Sequence, residues 1–468
     1  MPVFKASGFF VPMRTTHIPV SPDWYTVILQ TYANREHGEV TKRSMTMGAI
    51  ARRITRVITA VACVAVSVGV SVATLHVPTR EGGGERFNPA RYRSDVIADT
   101  VINHTTGVDK TQGTGTAGSP YDNKGYFPEA GYTPSDFHAP CSIWTYRDAE
   151  SVWNCQVSGL QDLDTSSPHV RDVLSDYFVK LLDYGVAGFR VDAVKHMPPE
   201  DVLAIKKLVA KKSGRSMNDI WWTQEVIGDN AEAAEIQPRN YLKTGQVNEF
   251  QYAYRLKSLF SNSLAGGSLS IKDIPQNITD SGKASVFVTN WDTERNNMTL
   301  TYKDGDAYRL ANAFMLAYPY GTPNVFSGYE FHDTDSGASG ATATSVPDID
   351  CSKDSGWSCT ERWPDVHGMV GWHNVAGDAP LSDWQDDGDN MIAFGRGGRA
   401  FIAINNSVRT RTVTYHTALP AGEYCDVYAS ADCSGSVHVR FDGDATLTVP
   451  AGSAGAFHIA ATPYTVRQ

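Results

Sequence analysis

The chain has 468 residues, which is too long for one ordinary domain and long enough for two or three. Hydrophobic residues make up 41% of it and charged residues 20%, a globular composition that excludes an intrinsically disordered chain. The net charge of −10 argues against nucleic acid as a partner and fits a neutral polymer or small molecule better. The ten Trp and 21 Tyr residues suit sugar binding, although most of them are expected to fill the core.

An arginine-rich stretch followed by an apolar one lies near the N-terminus. The segment of residues 52–76 has arginines at 52, 53 and 56, and the residues from Val57 to Leu75 carry no charge. This order is typical of a secretory signal, while the length of the apolar stretch approaches that of a membrane-spanning helix. We therefore predict an atypical N-terminal region over residues 1–93 that contains a secretion signal, with a membrane anchor as the alternative.

Strand and helix patterns alternate over residues 94–376. This alternation predicts a parallel sheet with helical connections. Residues 105–165 are rich in Gly, Ser, Thr, Asp and Pro and predict a subdomain inserted after the first of these strands. Short strands with Gly-rich turns over residues 377–468 predict an antiparallel β-sandwich. Strand patterns lie near 95–104, 188–192, 220–227, 284–292 and 322–327, and helix patterns lie near 168–184, 199–212 and 306–318.

Three of the predicted strands end in an acidic residue, namely Asp192, Glu225 and Asp292. Arg190 and Asp192 share one face of their strand because side chains alternate with period two, so the arginine favours an ionised aspartate. An isolated pair of this kind is more often structural than functional. In a (β/α)8 barrel, however, the carboxyl ends of all strands meet at one mouth. The three carboxylates are therefore predicted to form a catalytic cluster.

Six of the seven cysteines form close pairs in the sequence. Pairs with such short loops predict disulfides and an oxidising compartment. The sequence has no Cys-x-x-Cys motif, which argues against zinc. The predicted pairs are Cys141 with Cys155, Cys351 with Cys359, and Cys425 with Cys433.

Four motifs in a fixed order resemble those of the secreted α-amylases of the actinobacterial and animal-like type. They are Asp99 to His104 (DTVINH), Gly188 to His196 (GFRVDAVKH), Glu225 to Ile227 (EVI) and Phe287 to Asp292 (FVTNWD). The resemblance extends from about residue 95 to residue 468. It implies a TIM barrel and endo-hydrolysis of α-1,4-glucosidic bonds in starch, glycogen and maltooligosaccharides with retention of configuration. It also implies an extracellular monomer that contacts a membrane only through an uncleaved N-terminal segment.

The resemblance assigns a role to each acidic residue. Asp192 would be the nucleophile, Glu225 the general acid/base and Asp292 the stabiliser of the transition state. These roles agree with the chemistry of a retaining glycosidase, which needs an ionised carboxylate beside a protonated one. The residues that would bind or border the sugar are His104, Arg190, Lys195, His196 and Trp291.

The resemblance also implies a calcium ion between the barrel and the inserted subdomain. Its ligands would be Asn103, Asp162, a backbone carbonyl near Trp153 and the backbone oxygen of His196, and oxygen ligands suit this hard cation. Animal-like members also bind chloride through a basic triplet. Arg190 and Asn290 match two of those ligands, but Asn324 stands where the third is usually basic, so we do not expect chloride dependence.

Two departures from the family pattern bear on activity. Trp291 and Thr289 replace a histidine and an aspartate in the fourth motif, and that histidine would donate hydrogen bonds to the sugar. The barrel also lacks its first two strands, which leaves six of eight, and Trp24 to Leu29 could supply at most one more. These departures leave two hypotheses open. The chain is an α-amylase, or it is a catalytically impaired homologue that binds α-glucan or is a non-functional truncated product.

Overall fold

A computed structural model describes residues 28–29, 96–107, 112–115, 118–261, 279–342, 348–352 and 355–466. The predicted signal or anchor at residues 52–76 lies outside this set. Among the described helices, none combines the length and apolar character needed to cross a membrane.

The N-terminal half is built on a seven-stranded sheet with the order β1-β2-β7-β8-β9-β10-β11. In chain order, the strands of this half are β1 (Ile28–Leu29), β2 (Val96–Thr100), β3 (His104–Gly107), β4 (Gln112–Thr114), β5 (Pro120–Asp122), β6 (Leu160–Asp162), β7 (Gly188–Val191), β8 (Trp221–Gln224), β9 (Gln246–Asn248), β10 (Ala284–Phe287) and β11 (Thr322–Asn324). The helices are α1 (Ala149–Asn154), α2 (Pro168–Asp183), α3 (Pro199–Ser213), α4 (Phe250–Ser261), α5 (Thr293–Asn296), α6 (Asp306–Ala317), α7 (Pro364–Ala376) and, at the end of the chain, α8 (Pro463–Val466).

Strands β2 and β7 to β11 run parallel to one another, which confirms the predicted six-stranded incomplete barrel. Strand β1 is the one that the segment from Trp24 to Leu29 supplies. It pairs antiparallel with β2, so it does not replace a missing barrel strand. Within the described residues β11 pairs only with β10, and the sheet does not close into a ring.

The register of β2, β7 and β8 brings the acidic residues together. Asp99 on β2 is level with Arg190 on β7. The backbone N–H of Asp192 donates to the carbonyl of Thr100 at 2.9 Å, and that of Glu225 donates to the carbonyl of Val191 at 2.9 Å. Asp192 and Glu225 therefore leave adjacent strands at the same edge of the sheet.

Helices α2 and α3 cover one face of this sheet and end within one residue of the predicted bounds. Each begins with a proline at its first turn, where the missing N–H costs no hydrogen bond. The ring of Phe178 on α2 is 4.6 Å from that of Phe189 on β7 and 4.9 Å from that of Trp222 on β8, measured between centroids. This aromatic cluster fixes the helix against the strands that carry Arg190 and Glu225.

The inserted subdomain follows β2. Its strands pair as β3 with β6 and β4 with β5, and the predicted disulfide between Cys141 and Cys155 is present. The pairing of β3 with β6 places His104 opposite Asp162. The subdomain is thereby tied to the carboxyl end of β2.

The C-terminal part is the predicted antiparallel sandwich, with sheet orders β12-β13-β14-β19 and β15-β18-β17-β16. The disulfides Cys351–Cys359 and Cys425–Cys433 are also present. Arg396 joins this part to the first half, because its guanidinium donates to the carbonyl of Ala317 at 3.0 Å. It also donates to the carbonyls of Gly377 and Ala379, in the segment that leads into β12, at 2.5 and 2.6 Å. The strands are β12 (Leu381–Asp386), β13 (Met391–Arg396), β14 (Ala400–Asn405), β15 (Arg411–His416), β16 (Gly422–Cys425), β17 (Ser436–Val439), β18 (Asp444–Val449) and β19 (Ser453–His458).

Removing the ring at the centre of the aromatic cluster tests this packing. We expect Phe178→Ala to lower the free energy of unfolding by about 3–5 kcal/mol, because the cavity cannot fully collapse between two rings. Urea denaturation followed by far-UV circular dichroism measures this. The same substitution at the fully exposed Phe441 is the control and should change stability by less than about 0.5 kcal/mol. Equal effects at the two positions would contradict the assigned core.

Candidate active site

The side chain of Arg190 lies at the centre of the candidate site and is only 3% exposed. Its Nη1 contacts Asp192 Oδ1 at 2.6 Å and Asp99 Oδ1 at 3.0 Å, and its Nη2 contacts Glu225 Oε2 at 3.1 Å. One buried cation is therefore shared by three carboxyl groups that come from the ends of three adjacent strands. The predicted pairing of Arg190 with Asp192 is present.

Asp192 is held in its ionised form. Burial by itself raises the pKa of this carboxyl, but Arg190, His104 and a hydrogen bond from Glu225 lower the pKa below its ordinary value. A carboxylate with a depressed pKa stays charged at neutral pH and can act as a nucleophile or as an electrostatic stabiliser.

Glu225 has the opposite character. Burial raises its pKa to about 8, Arg190 opposes this shift, and the negative charges of Asp192 and Asp292 add to it. Its Oε2 accepts a hydrogen bond from the backbone N–H of Ala193 at 2.9 Å. Ala193 has the left-handed φ of 50°, an unusual conformation for alanine. The group is thus a neutral acid at neutral pH, beside an ionised carboxylate.

Asp292 lies beyond the end of β10, directly before α5. The predicted strand over 284–292 is too long, because it ends at Phe287 and Asn290 begins a turn. The side-chain oxygen of Asn290 accepts from the N–H groups of Asp292 and Thr293 at 3.1 and 2.8 Å. Desolvation within the mouth raises the pKa of Asp292, Arg190 opposes it and Asp192 adds to it, although the side chain itself remains open to solvent.

The two departures in the fourth motif have definite contacts. The ring of Trp291 lies over the guanidinium of Arg190, with Arg190 Cζ 4.6 Å from the ring centroid. The hydroxyl of Thr289 is buried and lies 2.9 Å from that of Thr299 and 3.3 Å from that of Thr293. Trp291 therefore belongs to the carboxylate cluster, whereas Thr289 belongs to a hydroxyl network beneath the turn.

Asp99 is a site residue that the sequence reasoning missed. Burial raises its pKa to about 6 against the pull of Arg190, and Asp192 contributes to the rise. Asp99 lies inside the strand predicted near 95–104, so its position did not mark it as a carboxylate at a strand end, and its role arises from the pairing of β2 with β7.

Lys195 and His196 adjoin this cluster, together with two residues that were not predicted. Lys195 Nζ forms an ion pair with Glu232 and lies 5.2 Å from the ring centroid of Tyr146. The ring of His196 contacts the same tyrosine edge-on at 5.8 Å. His104 is buried, which lowers its pKa, while Asp192 opposes that shift. All of the predicted sugar-contact residues thus lie in or beside the cluster of carboxyl groups around Arg190.

The predicted calcium ligands Asn103 and Asp162 are in contact, with Asn103 Nδ2 donating to Asp162 Oδ1 at 3.1 Å. The amide oxygen of Asn103 is buried and has no hydrogen-bond partner. Burial raises the pKa of Asp162 to about 6, although His138 Nδ1 lies 2.7 Å from its Oδ2. Helix α1, which carries Trp153, contacts the turn that carries His196. An unpartnered amide oxygen beside a buried carboxylate is a donor set that fits calcium.

The geometry gives chloride no support. Both terminal nitrogens of Arg190 face carboxylates, and the oxygen of Asn290 is engaged by backbone N–H groups. Asn324, at the third position, donates to Ser285 Oγ at 2.8 Å and to the carbonyl of Val286 at 2.9 Å.

The chain is similar to known proteins in both sequence and fold. The family model of the α-amylase catalytic domain matches residues 93–369, and that of the α-amylase C-terminal all-β domain matches residues 382–460. An α-amylase of Streptomyces violaceus is 40% identical over 370 residues, which are 78% of this chain and 61% of the relative. One of Tenebrio molitor is 37% identical over 394 residues, covering 80% and 82% of the two chains.

Among solved structures, α-amylase I of Eisenia fetida superimposes with a TM-score of 0.71 at 33% identity, covering 76% of this chain and 79% of that one. A mutant of the same enzyme in complex with maltohexaose gives a TM-score of 0.70. The matches span both halves of the chain and include the strands that carry Arg190, Asp192 and Glu225. The chain therefore belongs to the α-amylase family of glycoside hydrolases.

Proposed function

We propose that the chain is a secreted, monomeric α-amylase that cleaves internal α-1,4-glucosidic bonds of starch, glycogen and maltooligosaccharides with retention of configuration. The observation that carries this proposal is the opposite ionisation of two carboxyl groups on one buried arginine, with the pKa of Asp192 lowered and that of Glu225 raised to about 8. A retaining glycosidase requires this pair.

In the proposed first step, Asp192 attacks the anomeric carbon of the sugar bound at the mouth. The bond from that carbon to the glycosidic oxygen breaks, and Glu225 gives its proton to the departing oxygen. A glycosyl ester on Asp192 and an ionised Glu225 result. Asp292 faces the mouth and stabilises the positive charge that develops on the sugar ring.

In the second step, Glu225 takes a proton from a water molecule, whose oxygen attacks the same carbon from the opposite side and releases Asp192. Two inversions restore the original configuration. His104, Lys195, His196 and Trp291 line the sugar-binding region in this proposal. Residues 94–376 form the catalytic part, including the insertion at 105–165, and residues 377–468 form the sandwich domain.

The proposed calcium ion has a structural role. Asn103 and Asp162 supply side-chain oxygens, and the backbone carbonyls of Trp153 and His196 supply the others. The ion would neutralise a buried carboxylate and fasten the inserted subdomain to the carboxyl ends of β2 and β7. It takes no part in bond cleavage. The three disulfides support an extracellular location.

Replacing the proposed acid tests the function. We expect Glu225→Gln to lower the rate of reducing-sugar release from soluble starch by about 10³-fold, because the amide cannot protonate the leaving oxygen. Glu330→Gln, at an exposed position, is the control and should match the unmodified chain. Equal rates for the chain and Glu225→Gln would contradict the enzyme. Binding of maltohexaose without turnover by the unmodified chain would favour the glucan-binding alternative.

The raised pKa of Glu225 predicts the alkaline side of the pH profile. The acid must be protonated to act, so kcat/KM should stay level toward neutral pH and fall as the pH rises through about 8. Initial rates on maltohexaose between about pH 3 and about pH 10, a range that includes both this pKa and the ordinary glutamate value, measure it. A fall centred near the ordinary glutamate value would show that Glu225 is not the group that must carry the proton.

Calcium should stabilise the protein. At a calcium concentration of about 100 Kd, we expect chelator-treated protein to gain about 2.7 kcal/mol of stability, observed as a rise in Tm. Asp162→Asn should lose most of this rise because it removes the charged ligand. Asp333→Asn, at an exposed position, should keep it. A Tm that calcium does not change would exclude the proposed ion.

A further inference from the structure

Trp291 lies against a part of the Arg190 guanidinium that the carboxylates do not contact. The three carboxyl groups bind the terminal N–H groups of the guanidinium, whereas Arg190 Cζ lies over the ring of Trp291, 4.6 Å from its centroid. The indole is half-buried, and its ring also lies 6.3 Å from that of Phe326, measured between centroids. The carboxyl groups and the indole therefore both shield the guanidinium of Arg190 from water.

This cover matters because the strength of an ion pair depends on its surroundings. Water that reached the face of the guanidinium would raise the local dielectric constant and weaken its attraction for the carboxylates. An aromatic ring on that face excludes water and adds its own attraction for the cation. The position thus has an electrostatic use that requires no contact between Trp291 and a sugar.

We propose that Trp291 is a positioning residue that covers Arg190 and thereby keeps the arginine's charge concentrated on Asp192. The catalytic consequence of this role rests on the function proposed above, whereas the coupling of Trp291 to Asp192 through Arg190 does not. In this role Trp291 acts through Arg190, and it replaces a hydrogen-bond donor to the substrate with an aromatic cover for the cation.

The proposal predicts which group responds to the loss of the indole. Hydration of Arg190 would weaken the interaction that lowers the pKa of Asp192, so this pKa would rise. The substitution removes none of the other charged or titratable groups that face Asp192. They are Asp99 on β2, His104 on β3, His196 in the turn after β7, Glu225 after β8 and Asp292 before α5.

A double-mutant cycle tests the coupling without requiring activity. The Tm is measured for the chain, Trp291→Leu, Asp192→Asn and the double variant, all in the full-length protein. We expect non-additive changes in Tm, because each substitution weakens the same Arg190–Asp192 interaction. Trp291→Phe should retain part of the coupling because it keeps a ring over the cation. Additive changes in Tm would overturn the proposal.

The chain offers a matched control. The ring of Trp363 is also half-buried and lies over Arg309, with Arg309 Cζ 4.2 Å from its centroid, but Arg309 pairs with Asp365 and not with the catalytic carboxylates. Trp363→Leu should therefore lower the Tm and be additive with Asp192→Asn. Equal coupling of both tryptophans to Asp192 would mean that general loss of packing explains the effect, and would overturn the proposal.

Kinetics supply the second readout. In Trp291→Leu we expect the acidic limb of the kcat/KM profile on maltohexaose to move to higher pH by about 0.5–1 unit, and in Trp291→Phe to return toward the original position. Trp363→Leu should leave the limb in place. An unmoved limb in an active Trp291→Leu variant would overturn the proposal. If the unmodified chain releases no reducing sugar, the proposed function fails, and the cycle alone decides the role of Trp291.

Discussion

The site depends on the burial of one guanidinium. Moving a cation out of water costs several kcal/mol, and this cost is offset only when good partners surround the charge. Arg190 has three such partners, which are more than one positive charge can neutralise. The cluster therefore favours keeping a proton on at least one of them, and the burial of Glu225 makes it the preferred site. The same arginine thus accounts for both an ionised Asp192 and a neutral Glu225.

The backbone around the cluster fixes which carboxyl group takes which role. Asp192 follows directly on the strand of Arg190 and reaches its guanidinium from the same face. Glu225 comes from the neighbouring strand and accepts a hydrogen bond from the N–H of Ala193, the residue after Asp192. Although the sheet is open, the strands that carry the cluster are all present, and β2, β7 and β8 pair in register.

Much of this could be predicted from the sequence where a simple period governs the structure. The two-residue period of strand side chains placed Arg190 and Asp192 on one face of β7. The spacing of apolar residues by three and four positions predicted the ends of α2 and α3 to within one residue. Strand β9 could not be located, because its three residues, Gln246 to Asn248, are too few and too polar to show a pattern. The strand before Asp292 was drawn too long, because nothing local distinguishes an extended residue from Asn290, whose side chain caps a turn. Asp99, Tyr146, Glu232 and His138 were missed because their roles arise from contacts between distant segments.

The contact made by Arg396 has a consequence for how the molecule unfolds. This buried side chain donates to the carbonyl of Ala317 at the end of α6 at 3.0 Å, and Trp372 on α7 donates to the carbonyls of Phe401 and Phe457 in the sandwich, both at 3.1 Å. Separating the two halves would leave these buried groups without partners, at a cost of about 1–3 kcal/mol each. The sandwich is thus a cooperative part of the catalytic half, and heat or denaturant should melt the two in a single transition.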